Sequence, residues 1–238
     1  MLPVNRAAIR SRFFNMEPGM KLSRNRLAWI GAAALAISTT PLIAQQAMQK
    51  PGAAEPARVT AGTYKVDPNH TLVRWQVDHL GITPYFGIFG DITGTLTLDP
   101  ANPGAAKVDI TIPVAKVTTA SPGLTEHLLK PSAKAGDKPD FFGAAPADAR
   151  FVSTSVVREG QSNEARVTGN LTLNGVTRPI TLEVEFYGAG TMPQGMGGGQ
   201  QIGFKAETTI KRSDFGVSMG IPLVSDEVEL DIVAAFAK

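Results

Sequence analysis

From about residue 64 to its end, the chain repeats one pattern, an apolar side chain at every second position. Val73, Trp75, Val77 and His79 share one parity, while Arg74, Gln76 and Asp78 share the other. Ile88, Ile92, Leu96 and Leu98 alternate with Asp91, Thr93, Thr95 and Thr97, and Val108, Ile110, Ile112 and Val114 with Lys107, Asp109 and Thr111. Successive side chains of an extended strand leave opposite faces, so this alternation specifies strands with one buried face and one wet face. A fourth segment, residues 150–157, is less decisive about its faces. Val167, Leu171 and Leu173 lead through Asn174–Gly175 into Ile180, Leu182, Val184 and Phe186. Asn-Gly between two alternating runs marks a hairpin, because both residues tolerate positive φ. Ile202, Phe204 and Ile210, then Val228, Leu230, Ile232 and Phe236, complete the set.

Eight strand-like segments joined mostly by short links predict an all-β fold, an eight-stranded up-and-down antiparallel barrel whose closure removes exposed edges. Such a barrel encloses an interior just wide enough for packed side chains or one small ligand. Trp75, Val77, Ile92, Leu96, Ile110 and Ile112 are inward candidates from the first half of the barrel. Leu171, Leu182, Val184, Phe204, Leu230 and Ile232 are the candidates from the second half. Alternation alone does not separate a filled barrel from a hollow one. It also reads the same when apolar faces point outward into lipid, so an outer-membrane barrel is a second reading. Against that reading, 7% aromatic content is thin material for two interfacial girdles.

One interruption is helical. Ser121–Pro122 supplies an N-cap and a proline at the first helical position, and Leu124, His127 and Leu128 then fall on one face. A long proline-containing connection over residues 130–149 follows, of the kind that is functional or mobile in a compact domain. The glycine-rich stretch from Gly188 reads as a loop and not a dinucleotide fingerprint, because no helix follows it.

Residues 1–44 read as an N-terminal extension and a cleavable export signal, with translation starting at Met1, Met16 or Met20. Lys21, Arg24 and Arg26 precede an apolar run over residues 27–37, and a more polar stretch ends at Ala44, where cleavage is expected. That run is well short of the ~20 apolar residues a spanning helix needs, which disfavours an uncleaved anchor. Residues 45–62, rich in Ala, Pro and Gln, read as a flexible lead-in to a folded domain over 63–238.

Several short pieces, in order, resemble the YceI-like family of lipid- or polyisoprenoid-binding periplasmic proteins. They are Tyr64–Lys65–Val66–Asp67, His79–Leu80–Gly81, Gly94-x-Leu96-x-Leu98–Asp99, His127–Leu128, Asp140–Phe141–Phe142 and Phe151-x-Ser153. The longest is GNLTLNGVTRPITL over residues 169–182, and Arg212-x-Asp214–Phe215–Gly216 closes the set. The resemblance implies an extended lipocalin-like barrel whose interior holds an isoprenoid lipid, a polyprenyl chain or an isoprenoid quinone. It implies no catalytic residue, metal or cofactor. Two stretches depart from the family pattern, an insertion over 129–139 and an expanded glycine run over 195–199.

The polar candidates are few. His79, by parity, should point inward near a strand end, and His127 lies on the apolar face of the helix. Each is either a partner for a polar ligand head at the rim or a structural histidine bonded to backbone. Phe141, beside them in the family motif, joins the candidate contacts. Arg212 offers a cation for a pyrophosphate head, against the reading that Arg212–Asp214 fixes a turn. Zinc chemistry lacks any His-Glu-x-x-His spacing, and a serine hydrolase lacks its Gly-x-Ser-x-Gly elbow. The expected function is therefore a periplasmic carrier or sequestering protein for an isoprenoid lipid, not an enzyme. An enzyme of isoprenoid or stress metabolism is a third reading.

Charge sharpens the choice of partner. The chain carries 23 basic and 21 acidic residues, a net of +2. Six of the basic residues and one acid fall within residues 1–44, so the remainder has a net charge of −3. The basic character belongs to the export segment, and nucleic acid is not an expected partner. Membrane contact is expected to be transient, and a homodimer is compatible with the pattern. With no cysteine, the chain holds no disulfide, thiolate metal site or lipidated N-terminal cysteine.

Overall fold

Each alternating segment pairs with its neighbour in sequence. The computed structural model describes residues 49–134, 136–160 and 162–238; the expected export signal and start sites lie outside the described residues. The strands are β1 (Gly52–Ala53), β2 (Gly62–Val66), β3 (Leu72–His79), β4 (Thr83–Phe89), β5 (Thr93–Leu98) and β6 (Lys107–Ile112). After helix α1 (Pro122–Leu128) come β7 (Ala149–Arg158), β8 (Glu164–Leu173), β9 (Val176–Thr191), β10 (Gln200–Lys211) and β11 (Glu227–Ala237).

All pairings are antiparallel, and β10 pairs with both β9 and β11, which closes the sheet. The result is an eight-stranded barrel in which the first two walls are each broken in two. Strands β2 and β3 lie in succession along β11, and β5 and β4 lie opposite them. The segment read from Ile88 to Leu98 as one strand therefore breaks, at residues 90–92, where Asp91 takes a φ of 54°.

The break between β2 and β3 is repaired by a side chain. The Asp67 amide still donates to the Ala235 carbonyl at 2.8 Å, residues 68–71 then leave the ladder, and the Thr71 hydroxyl satisfies the Ala235 amide in their place. It accepts from the Ala235 amide at 3.0 Å and donates to the Ala235 carbonyl at 3.2 Å, in a position only 3% exposed. Asp67 closes the excursion by accepting from the His70 ring at 2.7 Å and the Asn69 amide at 3.0 Å. Burial pushes the Asp67 carboxyl up, but these bonds and the His70 charge outweigh it and hold the group below the usual carboxylate range. Thr71→Val keeps the shape and strands the buried Ala235 amide, so we expect a loss of about 2 kcal/mol. A denaturant midpoint unchanged from the parent would refute this role.

Bulges explain where the sequence pattern fades. The β7–β8 register slips between Ser153 and Ser155, so Phe151 and Val156 both face inward although their parities differ. A second irregularity, between Gly203 and Phe204, leaves Tyr187 of β9 outside the inward pattern. The Asn174–Gly175 hairpin forms as expected, with φ of 52° and 76°. Ser121 caps α1, its Oγ accepting from the Leu124 amide at 3.4 Å, and Leu128 is buried beneath.

The two faces of the wall are chemically opposite. Outward, Arg74 pairs with Asp231, Gln76 bonds Glu229 at 2.9 Å, and Arg150 reaches Asp109 at 2.6 Å. Arg166 bridges Glu159 and Glu183, and Lys205 lies 3.9 Å from Glu185. An outer-membrane barrel needs a lipid-facing apolar band ~25 Å tall. Ion pairs stand where that band would have to be, which removes the second reading.

Candidate functional site

Inward-facing apolar residues do not fill the barrel. They leave a cavity of about 280 Å³, near the lower edge of the ~300–1,000 Å³ typical of small-molecule pockets. Ten of the sequence-predicted residues line it. Ile92 and Leu96 come from the second wall, Ile110 and Ile112 from β6, and Leu171 from β8. Leu182 and Val184 come from β9, Phe204 from β10, and Leu230 and Ile232 from β11. Aromatic edges meet at one side, where Phe204 packs against Phe186 and Phe236 with ring centroids 5.7 and 6.1 Å apart.

Apart from Thr71, the polar lining residues cluster at one end, which is the mouth. Arg158, Ser162, Asn163 and Glu164 stand there on the β7–β8 turn, with Pro100 and Pro103 of the β5–β6 turn. Arg158 is held by its own turn, its Nε and Nη2 donating to the Ser162 carbonyl at 3.2 and 3.1 Å.

The opposite end is plugged. Phe215, only 1% exposed, packs with Phe151, Val167, Leu171, Ile210 and Val228 in a second core cluster. Trp75 and Val77 lie against this cluster and not on the cavity. Their inward parity was read correctly, but this end of the barrel is solid. The Trp75 indole Nε1 is buried there with no partner among the described residues.

The remaining predicted residues are elsewhere. His79 does not point inward; it is exposed at the end of β3, where the strand runs past the core and bridges Val224. His127 is half-exposed on α1, its Nε2 2.9 Å from Asp140 Oδ2 and its ring 5.2 Å edge-on from Phe141. This trio pins the long connection to the helix, with the Phe142 amide donating to the Leu128 carbonyl at 3.0 Å.

Arg212 is buried in the plug end, and neither reading of it from sequence holds in its original form. Its guanidinium donates to four main-chain carbonyls: Ser225 at 2.8 Å, Val217 at 3.1 Å, Met219 at 2.8 Å and Val224 at 2.9 Å. It folds the loop over residues 216–226 around itself, away from the cavity lining. Asp226, not Asp214, completes the corner by accepting from the Ser213 amide at 2.9 Å and its hydroxyl at 2.7 Å. Those bonds hold the Asp226 carboxyl below its ordinary range despite partial burial, with Arg212 and Lys211 charges adding to the effect.

Residues 64–236 match the YceI-like domain. The chain belongs to the YceI-like family. Over 175 residues it is 41% identical to Protein YceI of Salmonella arizonae, covering 72% of this chain and 85% of that one. The crystal structure of BcnA from Burkholderia cenocepacia superposes on this YceI-like barrel with a TM-score of 0.59 and 26% identity. That match covers 71% of this chain and 98% of BcnA. A polyisoprenoid binding domain from Saccharophagus degradans shares the fold alone, with a TM-score of 0.50 and 15% identity over 73% of this chain and 97% of that one.

Sequence reasoning missed one wall of the YceI-like site. Within the expected lead-in, β1 pairs with β9 through Gly52↔Gly190 and Ala53↔Ala189, and a 3₁₀ turn follows at Pro56–Arg58. Pro56 and Val59 line the cavity. The Gly188–Gly190 stretch is accordingly strand and not loop: a Cβ at Gly190 would lie 2.2 Å from the Pro51 carbonyl oxygen. An alternating pattern was never available to reveal this, because only two residues of the lead-in pair with β9.

Proposed function

We propose that this chain is a periplasmic binding protein that carries or sequesters an isoprenoid lipid, a polyprenyl chain or a quinone, in the barrel interior. The observation that carries the reading is the cavity itself, lined mainly by apolar side chains, with its polar residues, Thr71 apart, at one end. Burying hydrocarbon contributes ~0.8 kcal/mol per CH₂, so such a lining holds a long apolar chain with few polar contacts. Ordering that chain offsets part of the gain. Export to the periplasm rests on the signal-like residues 1–44, and the description of a same-fold neighbour as a polyisoprenoid binding domain favours an isoprenoid cargo. That the histidines stand outside the cavity and Arg212 is committed to main-chain carbonyls supports reading the site as one that binds.

Native mass spectrometry of the protein purified from the periplasm, followed by organic extraction, tests this directly. A bound mass that extracts as an isoprenoid is the expected result. A protein that carries no lipid and takes up neither a polyprenol nor a quinone from mixed micelles would remove the proposal.

A further inference from the structure

Part of the cavity lining comes from a segment that lies before the matched domain, which begins at residue 64. We propose that residues 51–60 form a hinged strap that shuts the site over its ligand, latched by Gln200, and that ligand exchange requires the strap to lift. The inference rests on the reading that the cavity binds an apolar ligand, and extends it to how that ligand enters.

Four observations converge on a unit built to move as one piece. First, the strap braces itself: Arg58 Nε donates to Glu55 Oε2 at 2.7 Å and Arg58 Nη1 to the Pro51 carbonyl at 3.3 Å. Second, its ladder on the barrel wall is short, two positions on the stretch of β9 that β8 leaves unpaired beyond Glu185. A ladder that short opens far more readily than the long pairings on either side of it. Third, one side chain of the barrel gathers the rest. Gln200 Nε2 donates to the Arg58 carbonyl, while its Oε1 accepts from the Thr60 amide at 3.1 Å and the Thr60 hydroxyl at 2.5 Å. Fourth, the pivot is fixed just beyond, where Lys238 Nζ donates to the Ala61 carbonyl at 2.7 Å and the Thr60 carbonyl at 3.3 Å.

The strap's inner surface is part of the site. Pro56 and Val59 face the cavity, and Val59 is 7% exposed although the residues on either side of it are exposed. Lifting the strap about Thr60 takes both residues off the mouth and exposes the inner wall behind Ala189. The barrel itself stays closed, because its ring of eight strands does not include β1.

The absence of cysteine makes the test clean. Ala53→Cys with Ala189→Cys places a directly opposed cross-strand pair in an otherwise cysteine-free full-length chain, within the ~4.4–6.8 Å Cα separation a disulfide spans. Stopped-flow uptake and release of the apolar fluorophore N-phenyl-1-naphthylamine is measured with the pair oxidised and then reduced. Oxidation should slow both rates by at least about tenfold, with reduction restoring the parent rates. Gly190→Ala, whose added methyl has strap atoms, Pro51 O and C and Gly52 Cα, as its three nearest neighbours, should speed release several-fold. Rates indifferent to oxidation overturn the strap while leaving cavity binding intact. A pair that does not oxidise also overturns it, since the strap would not lie on β9. No uptake by the parent overturns both the strap and the reading it rests on.

Discussion

Replacing Arg212 by alanine will destabilise the barrel by about 3 kcal/mol or more, the largest single-residue loss expected outside the apolar core. Its five N–H donors match a loop that turns four carbonyls inward, at 2.8–3.1 Å, in a position 7% exposed. Alanine leaves those carbonyls facing a void that neither water nor another side chain of the loop fills with the same geometry. The loop follows directly on Phe215, which sits in the plug, so its loosening spreads to Trp75 and Val77. For a domain of this size about 3 kcal/mol lowers the melting temperature on the order of 10 °C. Arg212→Lys should rescue little, because an ammonium cannot copy a planar fork of donors. Thermal melts of both variants check this; a lysine variant that melts with the parent would show that charge, not the fork, holds the loop.

Ala206→Trp should abolish lipid binding while leaving the fold in place. Ala206 lines the cavity from β10, between Val184 and Ile232 of the flanking strands. The indole grows into open space instead of replacing a packed side chain, so it takes up cavity volume without creating a void. We expect at least a hundredfold weaker binding of a polyprenol, about 2.7 kcal/mol, with a melting temperature equal to or above the parent's. Undiminished binding with the indole in place would show that the ligand lies elsewhere. Loss of binding together with loss of the melting transition would point to misfolding, and Ala234→Phe on the adjacent strand then offers the same obstruction from a second side.

The fold was legible because its signal is local. Alternation over eight segments, the Asn174–Gly175 turn and the Ser121 cap each depend on residues close in sequence, and all three stand in the structure. The site was legible by half. Parity identified the inner face, but parity does not tell which inward residues border open space: Leu230 lines the cavity, while Trp75, its cross-strand partner, does not. The bulge at Ser153–Ser155 shows why residues 150–157 looked undecided: one extra residue flips the face, and no local pattern survives the flip.

The sequence by itself determined that this chain makes a closed antiparallel barrel whose wall has one apolar and one polar face, since strand periodicity and the removal of edges allow little else. Tertiary structure alone decided that the apolar face turns inward and how the interior is divided. Whether apolar residues meet as a plug or stand apart around a cavity depends on how eight walls converge. Whether Arg212 faces a ligand or a loop depends on the chain thirteen residues later, at Ser225. The strap depends on Gln200 meeting Thr60 across 140 residues. Such contacts leave no period in the sequence, because each is made once and between residues that only folding brings together.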